Sequence, residues 1–231
     1  MKTKLDPKIV VRYVTRESLG LVVMGVALFW SAGKFAWWPA WAVLAVMFVW
    51  VLATTAVILA INPDLLIERL GPRKGAKSWD TIIMSLLGLA QLARYIIAGF
   101  DQRFGWSGNF ALSVQLSALI FCVLGYFLVV WATASNAFFS QVVRIQIERG
   151  QTVVSTGPYA IVRHPAYLGA ILFELAAPIL LTSWAALSIS ILTVFSLALR
   201  TALEDHTLQT ELTGYKDYCR HVRYRLLPGL W

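Results

Sequence analysis

Charge is what this sequence has least of. Asp, Glu, Lys and Arg make up 14% of its 231 residues, and only 12 are acidic; soluble domains carry about 25% charged residues. Cysteine is scarcer still, and two residues of it exclude a disulfide scaffold. Signatures of soluble enzymes are missing as well. No Gly-x-Gly-x-x-Gly follows a strand pattern, no Walker loop occurs, and no Ser/His/Asp order suggests a hydrolase. His164, His206 and His221, with Cys122 and Cys219, have no metal-ligand spacing, so no metal is expected. Both thiols should be free, one inside an apolar run and one facing a reducing cytoplasm. There is no internal repeat, low-complexity tract or linker, which argues for one domain over 1–231.

Apolar side chains fill the space that charge leaves. They account for 58% of the chain, with a mean hydropathy of +0.68. That excludes disorder, and a chain this size could not hide the excess in one core. An all-α integral membrane protein follows. The net charge of +8 comes without a basic stripe of interleaved aromatics, so nucleic acid is not expected. Four stretches approach the 20 or so apolar residues of a spanning helix: Ser18–Phe35, Trp38–Ile61, Thr81–Phe100 and Ala111–Ala134. A fifth block, Ala166–Leu199, is too long for one span and is interrupted near Pro178 and Thr182–Ser183. It is expected to be a helical hairpin with arms of about sixteen residues, or about 24 Å each; a single kinked helix is the alternative. Trp30, Trp37, Trp38, Trp41 and Trp50 mark the ends of the first two spans.

Basic residues set the orientation. Lys2, Lys4, Lys8, Arg12 and Arg16 precede the first span, and Arg69, Arg73, Lys74 and Lys77 separate the second from the third. Arg144, Arg149 and Arg163 follow the fourth, and Arg200, Lys216, Arg220, Arg223 and Arg225 close the chain. With a returning hairpin all of these fall on one side, and only Lys34 and Arg103 fall on the other. The positive-inside rule then puts both termini in the cytoplasm, in the plasma or inner membrane if the source is bacterial. The charged residues ahead of the first apolar block, and the second span close behind it, argue against a cleaved signal peptide.

Polar residues inside such a chain carry the information. Gln91 and Arg94 lie one turn apart in the third span, with Arg94 expected to snorkel or pair. Glu174, among Ile171, Leu172 and Phe173, needs a partner or a proton and is a candidate for lining a substrate cavity. The rest of the polarity gathers in two segments. Asn136–Tyr167 holds the turn Thr156-Gly157-Pro158 and then Arg163-His164-Pro165. The latter should open a helix whose unpaired N–H groups suit an anionic ligand group. Arg200–Tyr218 holds Arg200 and Glu204 at i, i+4, a spacing that allows them to pair.

Taken together, GPYAIVRHPAYLG (Gly157–Gly169), RTALED (Arg200–Asp205) and GYKDY (Gly214–Tyr218) resemble the isoprenylcysteine carboxyl methyltransferase family, which is similar to the phospholipid methyltransferases. The resemblance covers Asn136–Tyr218 and is weak over the first three spans. It implies an integral membrane enzyme that uses S-adenosylmethionine without a Rossmann domain, with residues 1–135 as transmembrane helices and 136–231 as the cofactor-binding and catalytic part. On the matching positions it implies a cytoplasmic-side cofactor pocket from Arg144, Gln151, Thr152, Val153, Val154, Tyr159, His164, Pro165, Ala166, Tyr167 and Glu204. Arg200 would face the substrate, and Arg200 and Glu204 would be the catalytic pair. The family commonly has His where Gln151 stands and Gln where Arg144 stands.

The implied reaction is methyl transfer to a lipophilic carboxylate entering from the bilayer. A carboxylate is already ionised, so no strong base is needed; a phospholipid amine would require one, from Glu204, Asp205 or His164. A fatty or isoprenoid acid and a lipophilic thiol also remain open as substrates. The rival readings are a sterol-type membrane reductase, which should carry more bases for an NADPH phosphate, and a transporter, which should show inverted repeats and midplane polarity. The topology is testable: cysteines placed at Gly33 and Ser107 should label from outside intact cells, whereas Ser78→Cys and Ser155→Cys should be protected. External labelling of Ser155→Cys would refute the hairpin.

Overall fold

The computed structural model describes residues 6–70 and 75–231. Lys2, Lys4, Arg73 and Lys74, counted above among the orienting bases, lie outside the described residues. All regular elements described are helical: α1 (Pro7–Ala32), α2 (Trp38–Ile61), α3 (Asp64–Leu70), α4 (Ser78–Phe104), α5 (Leu112–Ser135), α6 (Pro165–Leu180), α7 (Trp184–Glu211) and α8 (Tyr215–His221), with two short 3-10 turns at Ile147–Arg149 and Gly157–Ala160.

Helix termini follow local chemistry. Asp6 caps α1 by accepting from the Lys8 N–H at 2.9 Å, with Pro7 at the first helical position, and Gly33 ends that helix at φ +66°. Ser183 caps α7 through the Ala186 N–H at 3.0 Å. The fifth apolar block is two helices, joined by Leu181–Ser183 and packed against each other. The arms are unequal, however. α6 has 16 residues, but α7 has 28 and runs on to Glu211. The polar stretch after Leu199 continues the helix because Arg200, Thr201 and Asp205 find partners at its buried face. The first span also differs from expectation: its helix begins at Pro7, includes Arg16 and Glu17, and stops at Ala32 rather than Phe35. Among the described residues, four helices are long and apolar enough to cross a membrane: α2, α4, α5 and α7.

The six long helices close into a ring through the neighbour contacts α1–α2, α2–α5, α5–α6, α6–α7, α7–α4 and α4–α1. Large apolar side chains face outward, among them Leu19, Phe48, Leu89, Phe121, Phe127, Leu192 and Phe195. That exposed apolar surface is what a lipid solvent requires. Inward, Leu28, Tyr95, Cys122, Phe173 and Leu180 pack into one core. The buried charges of this interior are paired. Arg94, fully buried, bonds Glu174 across the bundle, with Ser190 Oγ 3.3 Å from the same nitrogen.

The two ends of the ring are chemically distinct. One end gathers the start of α4, the segment after α5 and the C-terminal part of α7: Lys77 Nζ contacts Glu211 at 2.7 Å, and Asn62 Nδ2 donates to the Ala137 carbonyl at 2.6 Å. At the other end, Asp101 accepts from Ser107 and from Ser183 Oγ (2.5 Å), tying α4 to the α6–α7 turn.

Helices α5 and α6 approach closely at two glycines. A Cβ added at Gly125 would lie 2.6 Å from the Gly169 carbonyl oxygen and 3.0 Å from the Phe173 nitrogen, so backbone meets backbone there. Gly169→Leu should therefore force the pair apart and cost about 1–3 kcal/mol or more. Thermal inactivation in detergent should show it, while the exposed Gly88→Leu, with open space around it, should be near neutral.

Candidate active site

One cavity of about 470 Å³ opens at the polar end of the ring and reaches down between the helices. Its polar wall comes from the segment after α5, the start of α6 and the end of α7. Its apolar wall comes from Trp50, Met84, Leu87, Tyr126, Ala170 and Leu197. Of the residues named from sequence, Arg144, Gln151, Thr152, Val153, Val154, Tyr159, His164, Ala166, Tyr167, Arg200 and Glu204 line this one cavity. Pro165 and Glu174 are not among its lining residues. Pro165 occupies the first position of α6. Glu174 lies deeper and is taken up by Arg94, so it is not available to a substrate there.

Two buried carboxylates build the polar wall. Asp205 is fully buried. Its Oδ1 accepts from Arg163 Nε at 2.8 Å and from Tyr215 Oη at 3.1 Å, and lies 3.3 Å from His164 Nε2. Its Oδ2 accepts from Arg225 Nε at 2.9 Å, Gln209 Nε2 at 2.8 Å and Arg163 Nη2 at 3.1 Å. Arg163 spends its remaining donor on the carbonyls of Val222 and Arg223, and the Arg163 and His164 N–H groups donate to the Tyr224 and Arg225 carbonyls. One carboxylate thus joins the start of α6, the end of α7, α8 and the chain beyond it. Asp80, the second, is also fully buried, in the first turn of α4. It accepts from Arg200 Nε at 2.6 Å and from the Val143 N–H at 2.8 Å. Sequence reading named Asp205 only as a candidate base within RTALED, and did not single out Asp80. An acid at the threshold of an apolar helix, as Asp80 is, was the available signal.

The expected Arg200–Glu204 pair does not form. Arg200 turns to Asp80 and to the Gln141 carbonyl (2.9 Å), with its guanidinium carbon 5.1 Å from the centre of the Tyr167 ring. Glu204 instead accepts from the Tyr167 hydroxyl. The i, i+4 spacing allowed the pair, but a buried fixed carboxylate competes better than a neighbour on the same helix. Nor does α6 present a full set of free N–H groups: Pro165 has none, His164's donates to Arg225, and Tyr167's folds back to the His164 carbonyl.

The wall around the segment Phe138–Val154 is held by its own polar groups. Arg144 makes a two-pronged contact with Glu68 of α3 (2.9 and 2.5 Å) and a third with Glu148 (2.6 Å), so its Nε and Nη2 are engaged by protein. Gln151 Oε1 accepts from the Gln146 N–H at 2.7 Å, and Gln146 Nε2 donates to the Phe138 carbonyl at 2.7 Å. Gly157, at φ +59° and against Ser135, allows the chain to turn below Tyr159, whose carbonyl accepts from Tyr218 Oη at 2.7 Å. Burial pushes the phenols of Tyr159, Tyr215 and Tyr218 upward, so all three act as neutral groups.

The chemistry of the lining follows from this accounting. Arg144, Arg163 and Arg200 face the cavity with their charges matched by acids. Glu204 lines it with a neutral hydroxyl as its recorded partner. That leaves a carboxylate suited to hydroxyl or amine donors or to a positive charge, beside the aromatic faces of Tyr167 and His164, which stack with centroids 5.8 Å apart. The volume is within the range of pockets for small organic ligands.

The Isoprenylcysteine carboxyl methyltransferase (ICMT) family model matches residues 118–210, the part of the chain that builds this wall. The match supports the resemblance drawn from the motifs. A solved structure of the eukaryotic intramembrane Ras methyltransferase ICMT (isoprenylcysteine carboxyl methyltransferase), without a monobody, is similar over 96% of this chain and 96% of its own, at 16% identity and a TM-score of 0.47. No curated protein matches the sequence.

Asp205→Asn should leave the buried Arg163 without a counter-charge and strip the partly exposed Arg225 of its acid, and should cost about 3–5 kcal/mol, seen as earlier thermal inactivation. The acid side is predictable from Glu68. The hydrogen bonds from Arg144 hold its carboxyl below the usual value of 4.5, against desolvation that raises it. The stability it contributes is thus complete above that value and is lost as pH falls through the depressed one. Glu68→Gln should abolish that part of the acid transition, as followed by proteolysis of the Phe138–Val154 segment.

Proposed function

With the Isoprenylcysteine carboxyl methyltransferase family matched over residues 118–210, we propose that the cavity binds S-adenosylmethionine at its polar end and methylates a carboxylate on a lipophilic molecule. The observation that carries this reading is the cavity's division into a polar wall with one carboxylate that makes no ion pair among the described residues and an apolar wall that continues between the helices. The positive-inside pattern puts the polar wall at the cytoplasm.

The residues present fit this cofactor. Glu204 accepts hydrogen bonds from hydroxyl or amine groups and stabilises positive charge, while Tyr167 holds its carboxylate in one position. Thr152–Val154 offer backbone and hydroxyl partners along one side, and the rings of Tyr159, His164 and Tyr167 offer flat faces. S-Adenosylmethionine would supply a methyl group bound to a sulfonium, which passes to the acceptor oxygen while the electron pair of the broken bond stays on sulfur.

The chain's part is positioning. Arg200 is held rigidly by Asp80 and the Gln141 carbonyl, and its Nη1 has no protein acceptor among the described residues. It is placed to orient an acceptor carboxylate without being free to swing to Glu204. Such fixed placement of two reactants contributes roughly 7–11 kcal/mol in favourable cases. The apolar wall excludes water and receives the lipid portion. No general base is required, since the acceptor ionises on its own.

Glu204→Gln should weaken S-adenosylhomocysteine binding about tenfold or more, measured by calorimetry in detergent. Arg200→Lys keeps the charge but loses the fork. It should lower turnover about a hundredfold while leaving that affinity unchanged. Turnover is followed with labelled S-adenosylmethionine and a membrane lipid extract, and the labelled product identifies the acceptor. Binding of NADPH in place of S-adenosylhomocysteine would support the reductase reading instead.

A further inference from the structure

The acids near the cavity are nearly all spoken for, and one cation is not. Arg69, at the end of α3, lines the cavity and is 7% exposed. Its Nη1 donates to the Tyr13 hydroxyl at 3.3 Å, and its Nε is buried with no partner. The acids closest in sequence or on the neighbouring helix are engaged elsewhere: Glu68 by Arg144 and Ser140, and Glu17 by Arg16. Arg16 in turn donates to the Arg69 carbonyl at 2.9 Å, which fixes the backbone and adds no negative charge. Among the described residues Arg69 makes no ion pair. A buried guanidinium left in this state costs stability, and a protein keeps it where a ligand supplies the missing anion.

Its position relates it to the proposed cofactor segment. The guanidinium carbon lies 5.4 Å from the centre of the Phe139 ring, and Phe139 packs on the cluster formed by Ala132, Tyr159 and Ala166, against which Val154 also packs. Arg69 is thus one aromatic ring away from that wall.

We propose that Arg69, together with the Tyr13 hydroxyl, forms an oxyanion subsite of the cavity that holds a ligand carboxylate. The proposal rests on the methyltransferase reading for the identity of its ligands. Two carboxylates are available under that reading: the amino-acid tail of the cofactor and the acid group of the lipid acceptor. The recognition chemistry is the same for both, a guanidinium fork with a phenol donor beside it.

The test uses the full-length protein in detergent and two ligand pairs that differ in the carboxylate. S-Adenosylhomocysteine is compared with 5′-methylthioadenosine, which lacks the amino-acid tail. An S-prenylated N-acetylcysteine is compared with its methyl ester. Arg69→Met should weaken one acid-bearing ligand at least tenfold while its partner stays within twofold, and the affected pair identifies the source. The ligand-free Arg69→Met protein should melt at the same temperature as the wild type or higher, because it sheds an uncompensated buried charge. Equal effects on charged and uncharged ligands, no effect on either pair, or a melting temperature lower by several degrees would each overturn the subsite. If the wild type binds none of the four ligands, the methyltransferase reading fails. The melting comparison then decides alone: a rise upholds an anion subsite for another ligand, and a fall makes Arg69 structural.

Discussion

The carboxylate of Asp205 is the constraint on which the polar end depends. It is fully buried and accepts from Arg163, Arg225, Gln209 and Tyr215. In a medium that offers little water, an ion of this kind is tolerated only when its lone pairs are all engaged. Satisfying them brings together groups far apart in sequence: the residues before α6, the last turns of α7, and the chain from α8 onward. The cavity wall is a by-product of that satisfaction. His164 and Tyr167 stand where they do because Arg163 beside them is tied to Asp205.

Asp80 has the same function on the opposite flank. By accepting from Arg200 and from the Val143 N–H, it fixes the end of α7 against the start of α4 and pins the segment that follows α5. Charge in this protein is thus used in matched pairs wherever it is structural: Arg94 with Glu174, Arg144 with Glu68, Arg163 with Asp205, Arg200 with Asp80. Against that pattern the exceptions are informative. Glu204 has a hydroxyl instead of a cation, and Arg69 a hydroxyl instead of an anion.

Much of the architecture was legible in the sequence because it follows from apolar length. The bounds of α2 match expectation, and α4 and α5 fall close to it, since hydropathy changes sharply at their ends. The break at Thr182–Ser183 was visible from Pro178 and the polar dipeptide. What length could not show was that α7 would carry its helix past Leu199, because the polar residues there are buried by partners elsewhere in the chain. The same blindness applies to the site. Motif positions on the segments after α5 and around His164 converge on one cavity, yet the spacing of Arg200 and Glu204 suggested a pair that tertiary competition prevents. Glu174 looked like a cavity residue because its neighbours in sequence are apolar, and its real partner lies on α4. Pairings between distant residues, such as Asp80 with Arg200, leave no periodic trace.

A closed ring is only as stiff as its loosest joint. The α5–α6 joint brings backbone against backbone at Gly125 and Gly169, with the side chains of Val129 and Leu128 close beside it, and it is the most extensive in the ring. The α1–α2 joint is the least extensive in the ring, and a broad apolar groove runs along it from Leu21 to Phe48. That seam is therefore the joint of the ring held by the least packing. A parting there would displace surrounding lipid instead of core, and would leave the α5–α6 wall, with the polar pocket at its end, in place.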